Sequence, residues 1–340
     1  MIDYTYAVSC RRLSSSLARA RRTYVALTVA CVMSMVPGLA AMAGAVPASR
    51  PHREATATWW VVAHRGYVGR HATEDGLPSL RRALSMGAAM AETDLRPSRD
   101  HRLIVHHEHL LSNTNCRHVA VYARAAGWIS SRCHLRDGSR VPTVVDYLRT
   151  ARARAGRVML ELKEAPNWAT VTFSRLAAAV RRTGMVDRVV ITSMSSKLLH
   201  AARSALPEVA RWGWISNGRP PSVRSVRHHG ANLVLAQVQD LTRRRISALH
   251  AAGIPVLGAV YRDGREVTHL HQWRHLYRLG ADGFLTDHLR QALAWSRRLR
   301  GSGESPTRTA RRQPTVDSVV TRGHIEKLVF AAVDGRPPLL

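Results

Sequence analysis

Short apolar runs alternate with amphipathic stretches along most of this chain, and the alternation is regular enough to count. Apolar runs at residues 59–63, 88–95, 158–162, 189–192, 210–215, 232–236, 255–258 and 283–285 have the length of buried strands. Between them, apolar positions recur at helical spacing; in 74–87, for example, they fall at Leu77, Leu80, Ala83 and Leu84. The other expected helices are 144–155, 170–183, 196–205, 222–229, 242–252, 267–279 and 289–299. Eight buried strands, each followed by a helix, predict a closed parallel (β/α)8 barrel, and residues 59–299 have the usual size of one. The exception is 110–142, which follows the second strand and a short extended run at 103–106 and holds no period; we expect an irregular insertion there, ordered as a flap.

Both ends differ from the middle. Residues 1–48 carry Arg11, Arg12, Arg19, Arg21 and Arg22, then an apolar run at 24–35, then small residues at 40–48. Basic, apolar, small is the order of an export signal, so a cleaved leader and a secreted or extracytoplasmic location are expected. Residues 300–340 begin with a Gly, Ser, Thr, Pro and Arg-rich stretch and are expected to be a disordered or weakly ordered tail. No second run is long and apolar enough to cross a bilayer. Removing the leader also removes Cys10 and Cys31, leaving Cys116 and Cys133 in the insertion, where an exported protein tolerates the disulfide we expect them to form.

Charge adds less than its size suggests. Lys and Arg number 51 against 23 Asp and Glu, a formal net charge of +28. Such a field draws anions such as phosphate esters and, loosely, anionic surfaces. Only Lys163, Lys197 and Lys327 are lysines, a bias that codon usage explains as readily as selection for a binding surface. No specific nucleic-acid partner is expected, and the absence of a GxGxxG segment after a strand gives a dinucleotide site no support.

The candidate chemistry sits at strand ends. Glu92 and Asp94, two apart on a strand, point the same way while Thr93 faces the other side. Adjacent carboxylates repel unless a positive group lies between them, and a hard divalent cation with oxygen ligands fits that need. Strand ends also deliver His64-Arg65-Gly66, His107-Glu108 and Leu160-Glu161-Leu162-Lys163, and in barrels of this kind those ends form the active face. Glu92, Asp94 and Glu161 could bind one Ca²⁺ or Mg²⁺; His64 and His107 could act as acid and base; Arg65 and Lys163 could hold phosphate oxygens.

These segments, with Thr73-Glu74-Asp75-Gly76 and Gly280-Ala281-Asp282-Gly283-Phe284-Leu285-Thr286-Asp287, stand in an order that resembles the glycerophosphodiester phosphodiesterase family. The resemblance implies a divalent metal held by Glu92, Asp94 and Glu161, general acid–base work by His64 and His107, and a phosphodiester gripped by Arg65 and Lys163. It further implies cleavage of a small glycerophosphodiester to glycerol 3-phosphate and an alcohol, with the glycerol 2-hydroxyl attacking first. The second His of the family is followed by an acid, which selects His107 and leaves His106 to packing. Departures are visible: Thr73 and Asp75-Gly76 replace a Pro and an Asn-Thr pair, so Glu74 is read as structural, and 256–260 lacks the Trp-Thr pair that lines the family's pocket. Trp214 is a pocket candidate whose simpler role is core packing. Two alternatives remain: a phospholipase-D-like enzyme acting on lysophospholipid or sphingomyelin, and an inactive secreted barrel that binds polyanions.

Overall fold

The structure, a computed structural model, describes residues 59–259, 261–262, 265–266 and 270–301, with the backbone alone at 261–262, 265–266 and 300–301. The expected leader and nearly all of the expected tail lie outside these residues, as do the first three positions of the helix read at 267–279.

In chain order the elements are β1 (Trp60–Ala63), α1 (Leu77–Met86), β2 (Met90–Pro97), β3 (Leu103–Val105), α2 (Ala126–Arg132), α3 (Val144–Ala153), β4 (Val158–Leu162), α4 (Thr170–Arg182), β5 (Val189–Ser193), α5 (Ser196–Ala205), β6 (Arg211–Ile215), α6 (Val223–His228), β7 (Leu233–Gln237), α7 (Arg243–Ala251), β8 (Val256–Ala259), β9 (Tyr261–Arg262), β10 (Arg265–Glu266), α8 (Leu270–Leu279), β11 (Gly283–Thr286) and α9 (Leu289–Gly301). Eight strands, β1, β2, β4 to β8 and β11, pair in parallel, and β1 joins both β2 and β11, so the sheet closes on itself. This is the (β/α)8 barrel that the alternation predicts.

Period-2 alternation divides the core. Val62, Met90, Met159, Val190, Leu233, Leu257 and Leu285 fill the barrel interior. The opposite face of the strands, with Val61, Leu160, Ile191, Trp212 and Val234, packs under the helices. Trp214 belongs to this outer layer, buried and stacked on the His229 ring at 4.2 Å, which settles it as a packing residue. Helix starts follow local chemistry: Thr143 caps α3 in a reciprocal box with Asp146, and Thr242 accepts the Arg245 amide at α7.

Two expectations need adjusting. Helix α1 starts at Leu77, not at residue 74, because Asp75 N bonds to the Arg65 carbonyl and Gly76 N to Thr73, spending that segment on a turn. The insertion follows β3, which pairs antiparallel with the extended end of β2, and it is less irregular than its sequence. It contains α2, a 3₁₀ turn at Val121–Ala123 and its own small core of Ile104, Leu111, Val121, Ile129, Leu135 and Val141. Cys116 and Cys133 are joined there, with Cα atoms 5.5 Å apart, as expected. Among the described residues no helix is long and apolar enough to cross a membrane.

Candidate active site

The carboxyl ends of β1, β2, β4 and β11 converge at one mouth of the barrel. The register sets Glu92 beside Met159 and Asp94 beside Glu161, so the parity that sends Met90 and Met159 into the interior sends these acids there one layer higher. One oxygen from each of Glu92, Asp94 and Glu161 lies within 4.8 Å of the others. Thr93 points away, as alternation requires, and donates to Asp75 Oδ1 at 2.7 Å.

The turn after β1 delivers His64 and Arg65. Gly66 sits at φ +83°, and a Cβ there would lie 2.6 Å from Ser79 Oγ and 2.9 Å from the Ser79 carbonyl carbon, so the turn needs glycine. Arg65 itself is held at φ +50°, a costly conformation for a side-chain-bearing residue. Its amide donates to Glu92 Oε2 (2.9 Å), its Nη1 to Glu74 Oε2 (3.0 Å), and its Nε lies 3.2 Å from Asp94 Oδ2. Lys163 reaches from the end of β4 to Glu161 Oε1 at 2.7 Å and Asp94 Oδ1 at 3.2 Å. Glu74, read from sequence as structural, thus reaches the site through Arg65.

Charge is unevenly shared in this cluster. Burial, then repulsion from Asp94 and Glu161, pushes Glu92 well above the usual carboxylate range, and burial with Asp94 raises Glu161. Asp94 goes the other way: burial opposes its charge, but Lys163, His107, Arg65 and His64 outweigh that and hold it low. Lys163 is raised above its ordinary value, since Asp94 and Glu161 outweigh the cost of its burial.

The donors fit a hard divalent cation. They are carboxylate oxygens on rigid strands, with no cysteine or imidazole among them. Among the described residues, Glu92 Oε1 is buried without a hydrogen-bond partner, and the Asp94 oxygens meet cations as ion pairs without hydrogen-bond geometry. Buried carboxylate oxygens left this way are costly unless another positive group satisfies them.

Both histidines are held by a carboxylate at Nδ1. His64 Nδ1 lies 2.6 Å from Asp287 Oδ1, and His107 Nδ1 lies 2.7 Å from Glu108 Oε1. A carboxylate accepts, so each Nδ1 carries hydrogen and proton exchange falls to Nε2. His64 follows the last residue of β1, its amide bonding to the Thr286 carbonyl, and His107 follows His106, whose amide bonds to the Asp94 carbonyl, so both stand at the same rim. Burial lowers the His107 pKa below the ordinary 6.5, Asp94 opposing and Arg65 and Lys163 reinforcing the shift. His106 packs as expected, buried, with Nε2 2.7 Å from Asn113 Oδ1.

The mouth thus gathers every site residue expected from sequence: His64, Arg65, Glu92, Asp94, His107, Glu161 and Lys163. Three contributors were not foreseen. Asp287 was visible only as the last letter of the closing segment, with no signal of its contact across 223 positions. Asp75 is completely buried behind Asp94, and burial pushes its carboxyl well up. Arg96 fixes the rim by donating to the carbonyls of His107 (2.7 Å) and Glu164 (2.9 Å).

The pattern describing the Glycerophosphoryl diester phosphodiesterase family matches residues 64–291 of this chain. Among solved structures, a glycerophosphodiester phosphodiesterase from Agrobacterium tumefaciens is 26% identical with a TM-score of 0.57, covering 69% of this chain and 99% of its own. A putative glycerophosphoryl diester phosphodiesterase from Silicibacter pomeroyi is 22% identical, with a TM-score of 0.60 over 73% of this chain and 95% of its own. A phosphodiesterase from Oleispira antarctica, solved with the product sn-glycerol-3-phosphate, is 19% identical, with a TM-score of 0.60 over 70% and 96%. No curated protein matches the chain.

Proposed function

Because the chain belongs to the glycerophosphoryl diester phosphodiesterase family, we propose that it hydrolyses glycerophosphodiesters to glycerol 3-phosphate and an alcohol with a divalent cation bound and the two histidines exchanging protons. The observation that carries this reading is the convergence of three carboxylate oxygens within 4.8 Å beside two histidines, each oriented by its own acid.

Glu92, Asp94 and Glu161 would hold Ca²⁺ or Mg²⁺, which supplies Lewis-acid stabilisation of the charge that builds on the phosphoryl oxygens. Arg65 and Lys163, freed in part from the acids they neutralise here, draw the diester into the mouth. His107, which burial keeps neutral, takes the proton of the glycerol 2-hydroxyl at Nε2 as that oxygen bonds to phosphorus. His64 gives a proton from Nε2 to the departing alkoxide, the P–O bond to the alcohol breaks, and a cyclic glycerol phosphate remains. In the second half the roles reverse: His64 takes a proton from water, whose oxygen attacks phosphorus, and His107 protonates the 2-oxygen as the ring opens. One water is consumed, and glycerol 3-phosphate and the alcohol are the products. The leader expected at residues 1–48 supports placing this activity outside the cytoplasm.

Phosphorus NMR of glycerophosphocholine, glycerophosphoethanolamine and glycerophosphoglycerol incubated with the enzyme and Ca²⁺ or Mg²⁺ tests the proposal. Glycerol 3-phosphate should accumulate from at least one of them. A cyclic phosphate as the only end product, or no turnover of any diester, contradicts it.

A further inference from the structure

The outer surface of the barrel is set with arginine, yet its exposed apolar side chains are not scattered. Among the described residues the large exposed ones are Val68, Tyr122, Trp128, Val171, Met194 and Leu270. Val68, Val171, Met194 and Leu270 follow the mouth ends of β1, β4, β5 and β8. Tyr122 and Trp128 lie in the insertion, which hydrogen bonds from Arg99 to Arg124 and from Asn167 to Tyr122 tie to the turn beyond β2 and to the connection after β4. They therefore share the face that carries the catalytic mouth. The described connections at the opposite end expose no large apolar side chain, and Met185, Leu206, Val209 and Ile254 are buried there.

One sector of the rim is densest and is firmly built. The Arg124 guanidinium lies 5.1 Å from the centre of the Trp128 ring, and the Arg99 amide donates to the Arg124 carbonyl at 2.9 Å. Asn167 Nδ2 donates to the Tyr122 carbonyl at 3.0 Å, tying the insertion to the connection that leads into Val171. The disulfide between Cys116 and Cys133 closes the same segment. Arg99, Arg102, Arg124 and Arg175 are exposed here and outnumber the acids, Glu164 and Asp100, of which Asp100 is already engaged by the Ala126 amide, the Ser98 hydroxyl and Arg102. Aromatic rings ringed by arginine suit the boundary between acyl chains and anionic headgroups: rings bury their apolar bodies, and guanidinium groups stay with phosphate.

We propose that the mouth face docks on an anionic phospholipid bilayer, with Trp128 and Tyr122 entering the interface and the rim arginines pairing with headgroups, so that the active site opens toward the lipid. The inference goes beyond the hydrolytic reading and does not depend on it, because docking can be measured without turnover.

Trp128 is the one exposed tryptophan of the chain's eight, which makes the test specific. The full chain is mixed with vesicles of phosphatidylglycerol and brominated phosphatidylcholine, and tryptophan emission is compared with that on unbrominated vesicles. Bromine should quench a component of the emission that Trp128→Phe lacks, whatever else attaches the chain to the vesicle. In sedimentation, Y122A/W128A should weaken vesicle binding about tenfold or more, with V171S as a milder variant in the same direction. Hydrolysis of a soluble diester should be unchanged in these variants, which separates failed docking from a failed catalytic reading. Equal quenching in the parent and Trp128→Phe overturns the proposal, as does a loss of heparin affinity in Y122A/W128A as large as the loss of vesicle affinity.

Discussion

Replacing Lys163 with Met removes the ammonium group that joins Asp94 to Glu161 and leaves the acids in place, so its consequence can be worked from the geometry. Pairs at 2.7 and 3.2 Å are each worth about 5 to 6 kcal/mol of attraction at an effective dielectric near 20, much of it offset by the cost of burying the ammonium group. Truncating one partner of a buried pair strands the other, at roughly 3 to 5 kcal/mol. Here an escape exists, since one carboxyl can take up a proton. From an ordinary carboxyl value of 4.5 to pH 7, at about 1.4 kcal/mol per unit, that costs about 3 kcal/mol, which caps the loss. The same route fixes the pH dependence. The variant's folded state holds a proton that its unfolded state has released, so its stability falls as pH rises, by about 1.4 kcal/mol per unit. Urea unfolding in chelator should therefore show K163M less stable than the parent by about 3 kcal/mol at pH 7 and by roughly 1 kcal/mol at pH 5.5. Added Ca²⁺ should stabilise the variant more than the parent, because the ion restores the missing positive charge. Equal stabilities at pH 7, or a deficit that grows as pH falls, would refute the charge balance drawn for this cluster.

Other consequences are more local. Alanine at His64 or His107 should lower kcat by about 10²- to 10⁴-fold in steady-state assays, with folding intact by circular dichroism. Because burial lowers the His107 pKa, the acid limb of kcat/KM should fall below the 6.5 of an ordinary histidine; a limb above that value counts against His107 as the initial base. Gly66→Ala should cost about 1 to 3 kcal/mol in thermal unfolding and reduce turnover, since the strained turn presents His64 and Arg65. Cys116→Ser with Cys133→Ser opens a loop of sequence separation 17 and should cost about 3 kcal/mol, read as earlier proteolysis within residues 110–142.

Most of the barrel was legible because buried parallel strands are continuous apolar runs and the intervening helices show one apolar stripe. The site was legible for a related reason: an acid or histidine ending an apolar strand has little purpose in a core, so Glu92, Asp94, Glu161 and His64 stood out. What was not legible depends on contacts between distant segments. Nothing local marks Asp287 as the partner of His64, or Asp75 as the acceptor for Thr93, although Thr93's outward direction followed from period-2 alternation. Glu74 was read as structural because its segment departs from the family pattern, yet the left-handed turn at Arg65 swings the guanidinium back to meet it. The insertion hid its order because its core is assembled from scattered positions such as Leu111, Ile129 and Val141, which follow neither a helical nor a strand period.

The proposed chemistry requires Glu92, Asp94 and Glu161 to hold a cation against a diester. Its most direct test is the initial rate of glycerol 3-phosphate release from a glycerophosphodiester, for the parent and for Glu161→Gln, in chelator and across a Ca²⁺ or Mg²⁺ titration. The parent should be inactive in chelator and saturate with metal, and Glu161→Gln should need far more metal or stay inactive. Turnover by the parent that is indifferent to chelator, or a Glu161→Gln metal response matching the parent's, would contradict it.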